Sequence, residues 1–354
     1  MEKQEVGTMK ASRIVLLVAV FGLSLPPWQG AAQTMRARWT TTLIWQNPGV
    51  VSSLNLFYGP GSEALAPEAP FRFIEEDKSG TAPKFKVKDA RSVEWAVKLG
   101  VESQAETVAT RLLWAMGYFS EEAYYFSRVM IKDFKELSRG SDFFDESGMV
   151  RAARFEPRRS NVERGDAWSW RDNPFVGTRE LNGLRVVMML LNNWDVKKSN
   201  NRVLLVTLPE KRTEVHYAVT DLGATFGRAS GLGGGRSKND VEDFVASRFV
   251  KGINDDSTVD FYYDMTPKRL GFLSAAYPPA FIKQQKKDNA MSDLPVIHAR
   301  WIGLQLAQLT DDQLHDAFSA AAYDDWSAKM YVSALRHRIN QLTQLREVRY
   351  ARKS

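Results

Sequence analysis

The sequence predicts an α+β chain built in two lobes: an N-terminal antiparallel sheet carrying one helix, then a mainly helical C-terminal lobe. Three observations predict it. Apolar residues alternate in strand fashion through Phe71, Phe73, Phe85, Val87, Val93, Trp95 and Val97. Val108, Leu112, Leu113 and Met116 then fall at helical spacing and are closed by Gly117. Towards the C-terminus helical periodicity dominates. With 354 residues and 44% hydrophobic content the chain can bury a substantial core, which excludes a disordered chain. A net charge of +6, with 48 basic residues spread among 42 acidic ones, gives no reason to expect nucleic acid and leaves phosphorylated or acidic ligands open. The absence of cysteine excludes disulfides, thiolate metal sites and cysteine nucleophiles.

Residues 1–33 read as an export signal: Lys3, Lys10 and Arg13 precede an apolar run at 14–25, and Gly30, Ala31 and Ala32 follow at a cleavage point. The run is short for a membrane span; retained as an anchor, it would still send the rest of the chain outward. The body is therefore expected outside the cytoplasm, periplasmic or extracellular, meeting a membrane only if the signal stays uncleaved. Residues 34–70, broken by Pro48, Gly59, Pro60, Gly61, Pro67 and Pro70, form an extended arm.

The N-lobe spans 71–157. Its first three strands are separated by the turns Ser79-Gly80-Thr81 and Asp89-Ala90-Arg91, and Lys98 ends the third strand on the face opposite Val97. Ser103-Gln104-Ala105-Glu106 reads as a capping box opening the helix. A strand follows at 124–131, and residues 143–155 read as two short strands around the polar turn Asp145-Glu146-Ser147-Gly148. The aperiodic stretch 157–174 is a long loop between lobes; Arg154, Arg158, Arg159 and Arg164 are taken as solvated, with an anionic substrate as the alternative.

The C-lobe covers 158–354. A buried helix at 178–192, with Leu181, Leu184, Val187, Met188 and Leu191 on one face, delivers the chain into a loop at 193–201. Strands at 203–208 and 215–219 make a hairpin around the turn at 209–213 and return the chain to Asp221-Leu222-Gly223. The glycine run at 231–235 lacks the lysine and hydroxyl of a phosphate-binding P-loop and reads as a mobile loop. Helices are expected at 295–309, from the capping box Thr310-Asp311-Asp312-Gln313 to 322, and at 324–348 with Trp326, Met330, Leu335, Ile339 and Leu342 inward. His216, His298, His315 and His337 lack metal-ligand spacing and are read as structural or surface residues.

Two segments carry chemistry. Asp195, Lys197 and Asn200 stand at Asp-x-Lys-x-x-Asn, and Asp221 opens an Asp-Leu-Gly downstream. Taken singly, each has a plain alternative, an Asx-type turn between helix and strand or a strand-ending turn. Taken in order, after a strand lysine and a helix glutamate, they resemble the catalytic loop and metal motif of the protein-kinase-like superfamily. The resemblance covers residues 71–230 and is closest in style to divergent branches such as the HipA-type bacterial kinases, the phosphoinositide kinases and the secreted Fam20 and CotH kinases. No His-Arg precedes Asp195, no Ala-Pro-Glu follows Asp221, and only Ser79-Gly80-Thr81 stands where a three-glycine loop would be.

That resemblance implies a two-lobed protein-kinase-like fold transferring the γ-phosphoryl of ATP, with magnesium, to a protein or small-molecule hydroxyl. It implies that Asp195 orients or deprotonates the acceptor and that Lys197 neutralises the transferred group. Asn200 and Asp221 would hold magnesium, Lys98 would contact the phosphates with Glu106, or Glu102 nearby, as its partner, and the backbone of Ser79, Gly80 and Thr81 would cover them. A pseudokinase scaffold, or AMP transfer from a reversed ATP, are the alternative outcomes of the same site.

Overall fold

Strand-forming alternation between residues 71 and 157 closes on itself. In this computed structural model, which describes residues 40–209, 212–229, 235–263 and 290–347, strands β2 (Phe71–Glu76), β3 (Lys84–Lys88), β4 (Glu94–Leu99), β5 (Tyr124–Lys132) and β6 (Met149–Pro157) form a barrel in the order β2-β3-β4-β6-β5. Neighbours pair antiparallel except β2 and β5, whose short parallel pairing closes the ring. Phe71, Phe85, Val87, Trp95, Val97 and Phe155 fill it, as the period-two pattern requires. The export segment, the arm up to residue 39, residues 210–211 of the hairpin turn, residues 231–234 of the glycine-rich run and residue 348 of the last predicted helix lie outside the described residues.

Helix α1 (Val101–Ala115) follows β4 directly. The expected capping box does not form. Gly100, at φ 108°, is the N-cap, and Ser103 donates its hydroxyl to the Lys98 carbonyl at 2.8 Å. Glu106 is thereby left to Lys98, a longer-range partner worth more than a local cap. Gly117, at φ 84°, ends the turn, and a Cβ there would lie 2.0 Å from the Gln46 carbonyl oxygen, so only glycine fits.

Residues 143–155 also differ from expectation: instead of two short strands, one nine-residue strand, β6, is preceded by a 3₁₀ turn at Ser141–Phe143. The supposed loop at 157–174 contains β7 (Val162–Arg164), which pairs antiparallel with β8 (Asn201–Thr207). β8 forms the expected hairpin with β9 (Thr213–Val219), and the arm adds β1 (Thr41–Leu43) parallel to β9.

The lower lobe is mainly helical: α2 (Arg179–Leu190), α3 (Val241–Ala246), α4 (Val296–Leu306), α5 (Asp311–Ser319) and α6 (Asp325–Thr343). Thr310 and Gln313 form the expected capping box on α5. A small sheet of β10 (Val250–Ile253), β11 (Thr258–Phe261) and β12 (Leu294–Pro295) was not expected; its strands are too short to display a period. Trp326, expected inward, is 58% exposed. It stands nine residues before Leu335, about 180° around the helix at 100° per residue, so the two cannot share a face. No described helix is long and apolar enough to cross a membrane.

A second core binds α1 to this lobe: Ala105, Val108 and Leu112 belong to the same apolar cluster as Leu184, Ile302 and Leu335. The arm reinforces the joint. Buried Arg111 on α1 donates to the Phe57 carbonyl at 3.0 and 3.1 Å, while Gln313 on α5 donates to those of Val51 and Leu54 at 2.9 and 2.8 Å.

Candidate active site

Between the barrel and the lower lobe lies a cleft of about 300 Å³, lined by Ser79, Lys98, Glu106 and Asp221 of the residues singled out from the sequence; Asp195, Lys197 and Asn200 are not in its lining and join it through the Asn200 carbonyl, which accepts from Asp221. β4 supplies Lys98. Alternation that buries Val97 in the barrel turns Lys98 to the opposite face, where its ammonium meets Glu106 at 3.0 Å, Glu102 at 3.2 Å and Asp221 at 3.3 Å. Both glutamates come from the first turns of α1. Burial alone would lower the lysine's pKa, but Glu106, Asp221 and Glu102 together raise it above the ordinary 10.5, so Lys98 is charged.

Asp221 is placed by the β8–β9 hairpin. The backbone N–H groups of Thr220 and Asp221 donate to the Asn200 carbonyl at 2.9 and 3.2 Å, which pins the Asp221-Leu222-Gly223 segment to the end of the 193–201 loop. Its carboxyl also accepts from the Gly223 N–H at 3.3 Å. Burial works to raise the Asp221 pKa, but the Lys98 ammonium and the Gly223 N–H outweigh it and hold it below 3.8, against a smaller opposing push from Asp195. Glu106 accepts from the Leu222 N–H at 3.3 Å, tying α1 to the same segment. Gly223 is required sterically: a Cβ would come within 2.8 Å of the Glu102 Cβ.

In the loop, Asp195 receives the Lys197 ammonium at 2.7 Å and the Asn200 side-chain N–H at 3.2 Å on the same oxygen. Asn200 also donates to the Asp195 carbonyl at 2.7 Å. The Asn200 amide nitrogen is thus committed to Asp195, while its backbone carbonyl holds the Asp221 segment. The side-chain oxygens of Asn200 and Asp221, both hard and on adjacent segments, suit magnesium, which takes one or two protein ligands and completes its shell with phosphate oxygens and water. No group of three or more His, Cys, Asp or Glu among the described residues forms a self-sufficient metal cage. His216 and His298 are structural: His216 stacks on Phe119 at 3.7 Å, and His298 meets Asn182 at 3.0 Å.

Of the turn residues, only Ser79 lines the cleft. Its N–H is taken by Asp77 at 2.9 Å, and Arg139 holds the Gly80 and Ser79 carbonyls at 2.7 and 3.2 Å. Arg154 is not solvated: it is 3% exposed, opposite Lys98 in the β4–β6 register, with Glu156 at 3.1 Å and Glu106 at 3.9 Å. Arg158 and Arg164 also bond Glu156 at the cleft wall. The signal for these was the alternation of Arg154 and Glu156 with Ala153 and Phe155.

No family model matches the chain, and no curated protein does. Among solved structures, it is similar to the Helicobacter pylori proinflammatory kinase CtkA, at 10% identity and a TM-score of 0.43, covering 78% of this chain and 97% of that one. It is also similar to the Golgi casein kinase, at 10% identity and a TM-score of 0.31 over 86% of this chain and 80% of that one. A structure of the Golgi casein kinase with Mn/ADP bound gives 10% identity and 0.29 over 77% and 73%.

Proposed function

We propose that the chain is a metal-dependent kinase-like phosphotransferase that moves the γ-phosphoryl of ATP to a protein or small-molecule hydroxyl. One observation carries the reading: a partly buried, charged lysine held by a helix glutamate also touches Asp221, whose backbone is bonded to the loop that presents Asp195 and Asn200. Lys98 would grip the phosphates, with Glu106 fixing its direction. Asn200 and Asp221 would hold magnesium, which would supply positive charge to offset that of the phosphates. Asp195 accepts the proton of the acceptor hydroxyl as its oxygen bonds to the γ-phosphorus and the bond to the β–γ bridging oxygen breaks, releasing ADP. Lys197, held by Asp195, offsets charge on the moving group. Beyond the cleft a pocket of about 460 Å³, lined by Phe119, Val162, Leu204 and Val206 and sharing Glu156, Arg158 and Arg164 with it, offers apolar room for a base. Export to the periplasm or beyond, which the N-terminal sequence favours, belongs to the same proposal.

The test is thermal unfolding with and without ATP and magnesium, in wild type and Asp221→Ala. At a hundredfold excess of ligand over Kd, stability should rise by about 2.7 kcal/mol in wild type and not in the variant. Absence of any nucleotide effect would leave a kinase-shaped scaffold. Release of ADP from ATP supports phosphoryl transfer; release of pyrophosphate would mean AMP transfer instead.

A further inference from the structure

Lys84, the first residue of β3, has no role in the reading above. Strand register places it directly opposite Lys98, which in turn stands opposite Arg154. Directly paired residues point to one face, so three cations form a row over the cleft, spaced by about 4.8 Å per strand, and all three line it. Like charges opposed across strands are destabilising. Lys98 is offset by its three carboxylates and Arg154 by Glu156 and Glu106, but among the described residues no carboxylate lies within 4.0 Å of the Lys84 ammonium. A second group nearby is also unmatched: the Nε of Arg154 is buried without a partner. That nitrogen is closed off from the cleft, whereas among the described residues the Lys84 ammonium faces only the Asp77 carboxyl, whose pKa it helps to lower from beyond ion-pair distance, and is left for an anion in the cleft.

The 77–83 turn stands over the same lysine. Asp77 takes the Ser79 N–H and Arg139 holds two of the turn's carbonyls, which braces it in place. The Lys84 ammonium lies directly beneath it, 3.3 Å from where a Cβ of Gly80 would be. Direction follows from the neighbouring pocket. The apolar room for a base opens beside Glu156 and Arg158, on the β6 side, so β3 covers the far end of the phosphate chain.

We infer that Lys84 is a second phosphate-binding lysine, gripping the terminal phosphate beneath the 77–83 turn and so selecting a nucleoside triphosphate over the diphosphate. This rests on the phosphotransferase reading. The test is calorimetric titration of the full chain with magnesium ATP and magnesium ADP, in wild type, Lys84→Met and Lys84→Arg. Loss of a charge-assisted bond should weaken ATP about 10- to 100-fold in Lys84→Met while ADP changes less than about twofold, and Lys84→Arg should keep the preference. Ligand-free Lys84→Met should melt at or above wild type, because a like-charge opposition is gone; a lower melting point would make Lys84 a structural residue and overturn the inference. Equal loss for ATP and ADP, or none, would overturn it alone. Failure of wild type to bind either nucleotide would sink the underlying reading with it.

Discussion

Replacing Glu106 by Gln keeps the side chain's shape and its acceptor for the Leu222 N–H but deletes the charge facing Lys98. At 3.0 Å and an effective dielectric constant of about 20, the gross attraction lost is about 5.5 kcal/mol. Breaking a buried pair typically costs about 3–5 kcal/mol net. Here Glu102 at 3.2 Å and Asp221 at 3.3 Å still face the lysine, so the expected loss is smaller, about 2–3 kcal/mol. Urea unfolding of wild type, Glu106→Gln, Lys98→Met and the double variant measures it, with an expected coupling of about 2 kcal/mol. Lys98 has its pKa raised in the folded state, so its stabilisation is fully present below the ordinary 10.5 and is lost only as pH climbs through the higher folded value. The coupling should therefore be the same at neutral pH and at about pH 9. Single-variant costs that simply add, to within about 0.5 kcal/mol, would refute the pairing on which the site rests.

Two further outcomes follow from the geometry. Asp221 has its pKa lowered in the folded state, so its contribution is complete above the ordinary 3.8 and fades as pH falls through the folded value. The stability difference between wild type and Asp221→Asn, about 1 kcal/mol for this half-exposed pair, should thus hold from about pH 8 to pH 5 and shrink only below about pH 4; a midpoint near pH 6 in ligand-free unfolding would contradict the assignment. Arg338, 2% exposed, donates to the Leu190 and Phe244 carbonyls at 2.6 and 2.9 Å and to the Asn192 and Ser247 side chains at 3.2 and 2.6 Å. Arg338→Met should cost about 3 kcal/mol or more in urea unfolding, because those buried acceptors lose their donor where α2 hands the chain to the 193–201 loop.

The elements read from sequence were those whose periodicity is carried by many residues. Strands β2 to β5, helix α1 and helix α2 fall there because their apolar positions repeat often enough to fix both type and face. Where two local patterns compete, the sequence is ambiguous. Ser103-x-x-Glu106 is a sound capping box until Lys98, arriving from the preceding strand, supplies a stronger partner for the glutamate. Arg154 and Glu156 look like a loop by composition and like a strand by alternation, and only the pairing of β6 between β4 and β5 decides for the strand. Trp326 fails by phase: the inner stripe of α6 runs through Ala328, Tyr331, Val332, Leu335, Ile339 and Leu342, and a residue so near the N-terminus of the helix is easily assigned to the wrong side. The candidate-site residues Asp195, Lys197, Asn200 and Asp221 stand out as a set in the sequence because they lie close along the chain. Lys84 does not, since what singles it out is a cross-strand register that no local pattern encodes.

The rooting of α1 in the lower core has a consequence for control. A helix that can swing on a hinge works as a clutch: it engages its glutamate with the strand lysine in one position and disengages it in another. Here the helix is welded. Its apolar face is continuous with that of α2 and α6, and Arg111 and Gln313 fasten the arm across the seam. Drawing Glu106 away from Lys98 would mean tearing open the same core that keeps the chain folded, at a cost approaching that of unfolding itself. On the proposed phosphotransferase reading, the chain is built as a tool with its jaws aligned, and what governs its work is whether donor and acceptor arrive.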